Sequence, residues 1–254
     1  MEKAQRGSRG VVLVTVLGGG GSYPPPGDYG PGVLVDTGDV RVLLDCGEGC
    51  LASLQEAGYK PCDPDIVYVS HVHIDHWSGL PSLAVARIAE GCPSLSLRAH
   101  PEVLALLELE ARVTLPSSLQ LEVKPIEKGE SLGDTRLEVF QVSHSVATYG
   151  ARVVAGDVVV AYTSDTRLRG DLYKHLLGSS ILLAEATLPT SLRDVALKEG
   201  HMTVADFLAL VRDANPGVAV AVHLSPESRR ELALKLREGP PRVIIGRRGL
   251  QVSA

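Results

Sequence analysis

The chain has 254 residues, 44% of them apolar and 22% charged, with a net charge of −5. This length supports a large buried core, the composition excludes a disordered chain, and the acidic balance excludes nucleic-acid binding through bulk charge alone. Arg229, Arg230, Lys235, Arg237, Arg242, Arg247 and Arg248 do crowd the C-terminal end, where the ordinary reading is a solvated surface. No apolar run reaches the roughly 20 residues of a bilayer span. Met1–Gly10 is polar with no apolar signal core behind it, so a cytoplasmic protein with no membrane attachment is expected. Cys46, Cys50, Cys62 and Cys92 form neither a CxxC pair nor a dense framework and are expected as reduced thiols.

Val11–Leu17 is short and rich in β-branched residues, which predicts a strand broken by Gly18–Gly21 and Pro24–Pro26. The glycine run lacks the Lys-Ser/Thr and helix start of a phosphate-binding loop. Gly32–Val35 and Val40–Leu44 flank a Thr37-Gly38-Asp39 turn and predict a hairpin. Glu48–Ala57 has helical spacing that stops at Gly58, and Ile66–Val69 predicts a buried strand running straight into His71. Next come a helix over Leu80–Glu90, a strand over Leu95–Ala99 and a helix over Pro101–Arg112 with proline in its first turn. Leu119–Val123, Arg136–Val142, Ala151–Val154 and Val158–Tyr162 predict strands, the last two joined across Ala155–Asp157. Ile181–Ala184 is a strand, and Thr203–Ala214 a helix capped by Thr203 ahead of Asp206. Strand Val218–His223, helix Pro226–Arg237 and strand Arg242–Ile245 complete the order. Early hairpins followed by strand–helix alternation suit two packed sheets with helices outside. Neither linker nor repeat divides the chain, so residues 1–254 read as one domain.

The chemistry concentrates in Val69-Ser70-His71-Val72-His73-Ile74-Asp75-His76. Residues two apart on an extended segment project the same way, so His71 and His73 can close on one metal ion. Asp75 and His76, past the strand end, can turn toward a second. Imidazole and carboxylate suit zinc, and also manganese or iron. His144, Asp165 and His223 each follow an apolar strand, and sheet-end polar groups of this kind line active sites. His100, before Pro101, and His175, in a mixed Leu/Lys stretch, carry no metal signal.

The run from His71 to His76 resembles the HxHxDH signature of the metallo-β-lactamase superfamily, and the following Trp77-Ser78-Gly79-Leu80-Pro81 resembles the ribonuclease Z group within it. Val16-Leu17-Gly18-Gly19-Gly20 and Leu43-Leu44-Asp45-Cys46-Gly47-Glu48-Gly49 resemble that group's first strand and its LLDCGEG segment. His144-Ser145 ahead of Tyr149-Gly150, Tyr162-Thr163-Ser164-Asp165-Thr166-Arg167, Glu185-Ala186-Thr187, Gly200-His201-Met202-Thr203 and Val222-His223-Leu224-Ser225 continue the order, so the likeness spans roughly residues 11–226.

This resemblance implies an α/β fold, an αββα four-layer sandwich with the metal site at one edge of the two sheets. It assigns His71, His73 and His144 to one divalent ion, Asp75, His76 and His223 to another, and Asp165 to both, with Asp45 orienting a ligand. A hydroxide bridging the two ions would attack phosphorus or a carbonyl carbon, and Asp75 would take its remaining proton. Glu185 and His201 match a pair that protonates the leaving oxygen in the ribonuclease Z group. The pair favours a phosphodiesterase acting on RNA, such as precursor tRNA, or on a small or cyclic phosphodiester.

The likeness is incomplete in two places. Ala184 stands where the group carries a His before the Glu. Only twenty residues separate His144 from Asp165, too few for the arm with which ribonuclease Z enzymes clamp tRNA. Arg167 and Arg169 lie near the site and could hold a phosphate, with ordinary surface arginines as the alternative reading. Two rival readings are a hydrolase of another ester, thioester or lactone, and a non-catalytic metal- or nucleic-acid-binding member. Relatives also suggest a homodimer.

Overall fold

A computed structural model describes residues 11–92, 94–113, 120–126, 129–237 and 242–254. Elements are numbered along the chain. The first sheet holds β1 (Leu13–Gly18), β2 (Gly32–Asp36), β3 (Arg41–Leu44), β4 (Ile66–Val69), β5 (Ser94–Ala99), β6 (Gln120–Pro125) and β14 (Gln251–Ser253), in the order β14-β1-β2-β3-β4-β5-β6. The second holds β7 (Glu130–Leu132), β8 (Thr135–Gln141), β9 (Tyr149–Ala155), β10 (Val158–Tyr162), β11 (Ile181–Glu185), β12 (Val218–Val222) and β13 (Val243–Ile245), in the order β13-β12-β11-β10-β9-β8-β7. The helices are α1 (Cys50–Glu56), α2 (Leu80–Ala89), α3 (Pro101–Val113), α4 (Leu172–Leu176), α5 (Arg193–Glu199), α6 (Val204–Ala214) and α7 (Pro226–Lys235).

Burial sorts these elements into four layers. Val14, Val16, Val33, Val35, Val42, Leu44 and Tyr68 of the first sheet meet Leu137, Val153, Val160, Leu183 and Val220 of the second in one apolar cluster between the sheets. The alternate residues Leu34, Leu43, Val67 and Val69 face outward against Leu54 of α1, Leu80 and Leu83 of α2, and Val103 of α3. On the far side, Ala161, Leu182, Ala184 and Ala221 pack against Leu176 of α4 and Phe207 and Leu210 of α6. Strands buried on both faces read as continuous apolar runs, which is why β4, β10, β11 and β12 were legible as strands. This is the αββα sandwich that the resemblance implies.

Strand direction puts the site at one edge. β3, β4, β5 and β6 run parallel, as do β10, β11, β12 and β13. β8 and β10 are both antiparallel to β9, so β8 also ends at the same edge as β10. Open sheets bind ligands at the carboxyl ends of such strands. Asp45 follows β3, His71 follows β4, Asp165 follows β10, Glu185 ends β11 and His223 follows β12.

The expected elements are found within a few residues, except that Leu119 lies outside the described residues, as does the Met1–Gly10 segment. The capping box of α6 is present: Thr203 Oγ1 accepts from Asp206 N, and Asp206 Oδ2 accepts from Thr203 N. Among the described residues, two short strands and two short α-helices were not expected. β7 and β14 have three residues each, α4 has five and α5 seven, too short for a period to show.

The thiol expectation is corrected in part. Cys62 and Cys92, 30 residues apart in sequence, form a disulfide. The loop before β4 and the loop before β5 are neighbours because these strands pair, and Arg87 holds both by donating to Pro61 O, Pro64 O and Ser94 O. Spacing alone cannot show that proximity. Cys46 and Cys50 are free and buried in the core under α1.

Candidate metal centre and active site

All seven expected ligand residues meet at the sheet edge. His73 Nδ1 lies 3.0 Å from His71 Nε2 and 3.1 Å from His144 Nε2. Asp165 Oδ2 is 3.8 Å from His71 Nε2 and 3.9 Å from His144 Nε2. On its other side, the same oxygen lies 3.3 Å from both His76 Nε2 and His223 Nε2. Asp75 Oδ2 closes the second group, 3.2 Å from His223 Nε2 and 3.7 Å from His76 Nε2. Two donor groups therefore share one carboxylate oxygen, the layout that two neighbouring divalent ions require.

The partners of the outward ring nitrogens fix which nitrogen faces the centre. Asp45 is fully buried and collects four donors: Ser70 N at 2.8 Å, Ser70 Oγ at 2.9 Å, His76 Nδ1 at 2.8 Å and Tyr162 Oη at 2.6 Å. Ser70 Oγ donates to Asp45 and so accepts from His71 Nδ1 at 3.0 Å. His144 Nδ1 donates to Gly200 O at 2.8 Å. Thr187 Oγ1 donates to Glu185 Oε2 at 2.6 Å and so accepts from His223 Nδ1 at 2.8 Å. With the Nδ1 of each of these four rings committed outward, each Nε2 faces the centre, as in metal-ligating histidines.

Two observations test whether ions fit. His76 Nε2 and Asp165 Oδ1 are buried and have no hydrogen-bond partner, a costly state for polar atoms that lack a ligand. Protonation also leans the right way. Burial, with the neighbouring imidazoles, holds His71 well below its ordinary pKa, and burial lowers His73 and His144. Burial opposes ionisation of Asp165 and Asp75, but the His223 and His76 imidazoles outweigh it and hold both well down the acid side. Neutral imidazoles and ionised carboxylates are the ligand forms a divalent ion needs. At His76, burial opposes charge, but Asp165 and Asp45 outweigh it and push the ring well up, so the pocket favours positive charge.

Backbone geometry positions these groups at some cost. Asp45, Ser164 and His223 have φ of 58°, 54° and 54°, a left-handed conformation uncommon outside glycine and often kept at functional sites. Each turns the chain sharply at the end of a strand. Gly200 has φ 91°, and a Cβ there would lie 2.7 Å from His144 Nδ1, so only glycine lets this carbonyl reach the ring.

Glu185 and His201 also come together beside the cluster. Glu185 is 1% exposed, and its Oε1 accepts from Thr166 N at 2.6 Å and His201 Nδ1 at 3.1 Å. Its Oε2 accepts from Thr187 Oγ1 and from Met202 N at 3.0 Å. Burial alone would lower the His201 pKa, but the Glu185 charge and hydrogen bond, with Asp165 behind them, raise it to about 9. His201 Nδ1 also lies 3.9 Å from Asp165 Oδ2, within reach of an ion beside His223. The closer bond to Glu185 occupies that nitrogen, which favours proton donation over ligation.

Other expectations are revised. Arg167 is not a free phosphate holder: it donates to Leu197 O, Lys198 O, Ser143 Oγ and His144 O, latching the end of α5 to the His144 loop. Arg169 is exposed and 3.5 Å from Asp171. In the C-terminal basic cluster, Arg229 pairs with buried Asp28, Arg230 with Glu227, Lys235 with Glu231, and Arg248 lies over Tyr29 and reaches Glu56. His100 sits by Glu102 and His175 stacks on Phe140. Sequence reading missed Ser70, Tyr162 and Thr187, which hold His71, Asp45 and His223 by hydrogen bonds. Their only signal was adjacency to ligand or strand residues.

Comparison with known proteins places this geometry in a family. Over 286 aligned positions the chain is 27% identical to a protein named ribonuclease Z from Methanopyrus kandleri, covering 95% of this chain and 97% of the relative. The alignment is longer than this chain, so the relative carries segments with no counterpart here. The crystal structure of the metallo-β-lactamase fold protein YhfI from Bacillus subtilis superposes with a TM-score of 0.78 at 23% identity, over 96% of this chain and 99% of that one. A structure described as a new diphosphatase from the PhnP family superposes with a TM-score of 0.79 at 20% identity, over 96% and 98%. Residues 40–224 match the family model described as Beta-lactamase superfamily domain. The matched segment takes in every proposed ligand and both members of the Glu185–His201 pair, and the chain belongs to the β-lactamase superfamily.

Proposed function

We propose that the protein is a phosphodiesterase of ribonuclease Z type that works with two divalent ions. The observation that carries this reading is His201, held by the buried Glu185 beside the shared carboxylate Asp165, an acid placed to protonate an oxygen leaving group. Hydrolysis of a thioester, whose thiolate leaves without protonation, has less use for a carboxylate-held general acid.

His71, His73 and His144 would hold one ion, Asp75, His76 and His223 the other, and Asp165 both. The imidazole-rich set suits zinc. When bound, the ions supply Lewis acidity toward the phosphoryl oxygens and lower the pKa of attacking water. Asp75 stays ionised and accepts a hydrogen bond from that water. His201, its Nδ1–H held by Glu185, donates the Nε2 proton to the leaving oxygen. Asp45 keeps the ring of His76 turned the right way throughout.

Two substrate classes fit, RNA 3′ ends and small phosphodiesters. Between His144 and Asp165 the chain is taken up by the β9–β10 hairpin, paired Val158↔Ala155 through Tyr162↔Ala151. The clamping arm expected of a tRNA-processing enzyme is thus replaced by sheet, and the fold shared with a diphosphatase supports the smaller substrates. Among the described residues no helix is long and apolar enough to cross a membrane. We read the enzyme as cytoplasmic and homodimeric.

The deciding experiment is cleavage of a precursor tRNA and of bis(p-nitrophenyl) phosphate by zinc-loaded protein, with Asp75→Ala as blank. Trailer cleavage lost in the variant assigns tRNA processing. Hydrolysis of the diester alone assigns a small-substrate phosphodiesterase. Neither activity, from protein with two ions bound, refutes the proposal.

A further inference from the structure

The loop between β1 and β2 carries a side chain that neither the core nor the metal cluster uses. Tyr23 exposes 74% of its surface, more than any other large apolar side chain among the described residues. Ile74, between His73 and Asp75, exposes 66%. Among the described residues, Tyr23 and Tyr173 are the aromatic side chains left exposed, and Tyr23 is by far the more open.

Its position follows from the glycine run. Gly21 lies against the His223 ring, where an added Cβ would sit 2.7 Å from Cε1. Tyr23 is two residues on, a span of about 7 Å at most. The loop is also stiff. Pro24 restricts Tyr23 to extended backbone, and Pro24, Pro25 and Pro26 fix three successive φ angles. Gly20 N donates to Tyr29 O at 3.1 Å, Asp28 N to Pro25 O at 3.0 Å and Gly19 N to Asp28 Oδ1 at 3.1 Å. Leu224 N, next to His223, donates to Gly19 O at 2.9 Å. Asp28 itself is buried and paired with Arg229. The Tyr23 backbone is therefore held close to the His223 ring with little freedom to lose on binding.

We propose that Tyr23 is a stacking platform for a nucleobase joined to the scissile phosphate, which makes nucleotidyl diesters the preferred substrates. A rigid aromatic face takes any base, because every base presents a π-surface. The proposal rests on the phosphodiesterase reading and narrows it.

Two measurements on the zinc-loaded protein test it. The first is the ratio of kcat/KM for thymidine 5′-(p-nitrophenyl) phosphate over methyl p-nitrophenyl phosphate, which share a leaving group and differ in the nucleoside. Tyr23→Ala should lower this ratio about tenfold, within the range of one base–aromatic stack, and Tyr23→Phe should keep it within twofold. The second is calorimetric titration with thymidine 5′-monophosphate, whose Kd should rise about tenfold in Tyr23→Ala and not in Tyr23→Phe. An unchanged ratio with unchanged Kd, or absence of thymidylate binding by the native protein, overturns the platform. If the native protein hydrolyses neither diester, the activity reading falls, and the titration alone still decides whether Tyr23 stacks a base.

Discussion

Replacing Glu185 by Gln removes the charge that sustains His201 while keeping the size and an acceptor oxygen. In the native protein the Glu185 charge and hydrogen bond overcome burial and raise the His201 pKa from 6.5 to about 9. At 1.36 kcal/mol per pKa unit, that shift represents roughly 3 kcal/mol of preference for the imidazolium. Without the carboxylate, burial dominates and the pKa falls to 6.5 or below. The acid must be protonated to act, so activity is retained below the pKa and lost above it. At pH 8 about nine-tenths of His201 is protonated with a pKa of 9, against about 3% with a pKa of 6.5, a loss of about 30-fold. At pH 6 the two proteins should differ by less than about twofold. The assay is the pH–kcat profile of native and Glu185→Gln protein on an alkyl or nucleotidyl diester whose leaving group needs protonation. A loss of equal size at pH 6 and pH 8 would refute the acid role and leave Glu185 a purely positioning group. The same shift bears on stability. Because the folded pKa lies above the unfolded value, His201 stabilises the fold fully below pH 6.5, and this contribution disappears as pH rises through 9.

Three further outcomes are expected. Asp165→Asn, which removes the oxygen shared by both donor groups, should reduce bound zinc from two ions to one or none and lower kcat at least a hundredfold, read by elemental analysis and kinetics on the same sample. Gly200→Ala places a methyl group against His144 Nδ1 and strains a φ of 91°, so zinc affinity should drop about 10- to 100-fold, whereas Gly178→Ala, open around its Cβ though also at positive φ, should leave affinity unchanged. Cys62→Ser with Cys92→Ser opens a loop of 30 residues, which the chain-entropy relation values at about 3–4 kcal/mol, so Tm should fall by roughly 6–15 °C, and a change under 2 °C would show that the loops hold without the bond.

The sequence by itself determined which donor side chains the candidate site contains and most of the secondary structure. His71-Val72-His73-Ile74-Asp75-His76 states its donor types in six consecutive residues, and the strands leading to it and to Asp165 and His223 are apolar on both faces. His144, Asp165, Glu185, His201 and His223 were legible because motifs keep their order along the chain, even though composition says nothing of their meeting. Only the tertiary structure decided what depends on distance between remote segments. The bond between Cys62 and Cys92 follows from the pairing of β4 with β5, and the latch role of Arg167 follows from where α5 ends. The fourfold use of Asp45, which joins Ser70, His76 and Tyr162, needs β3, β4 and β10 from two different sheets to end at one edge. Periodicity records which face of a strand is buried, whereas a hydrogen bond between strands of different sheets depends on how those sheets stack, and no local pattern encodes that.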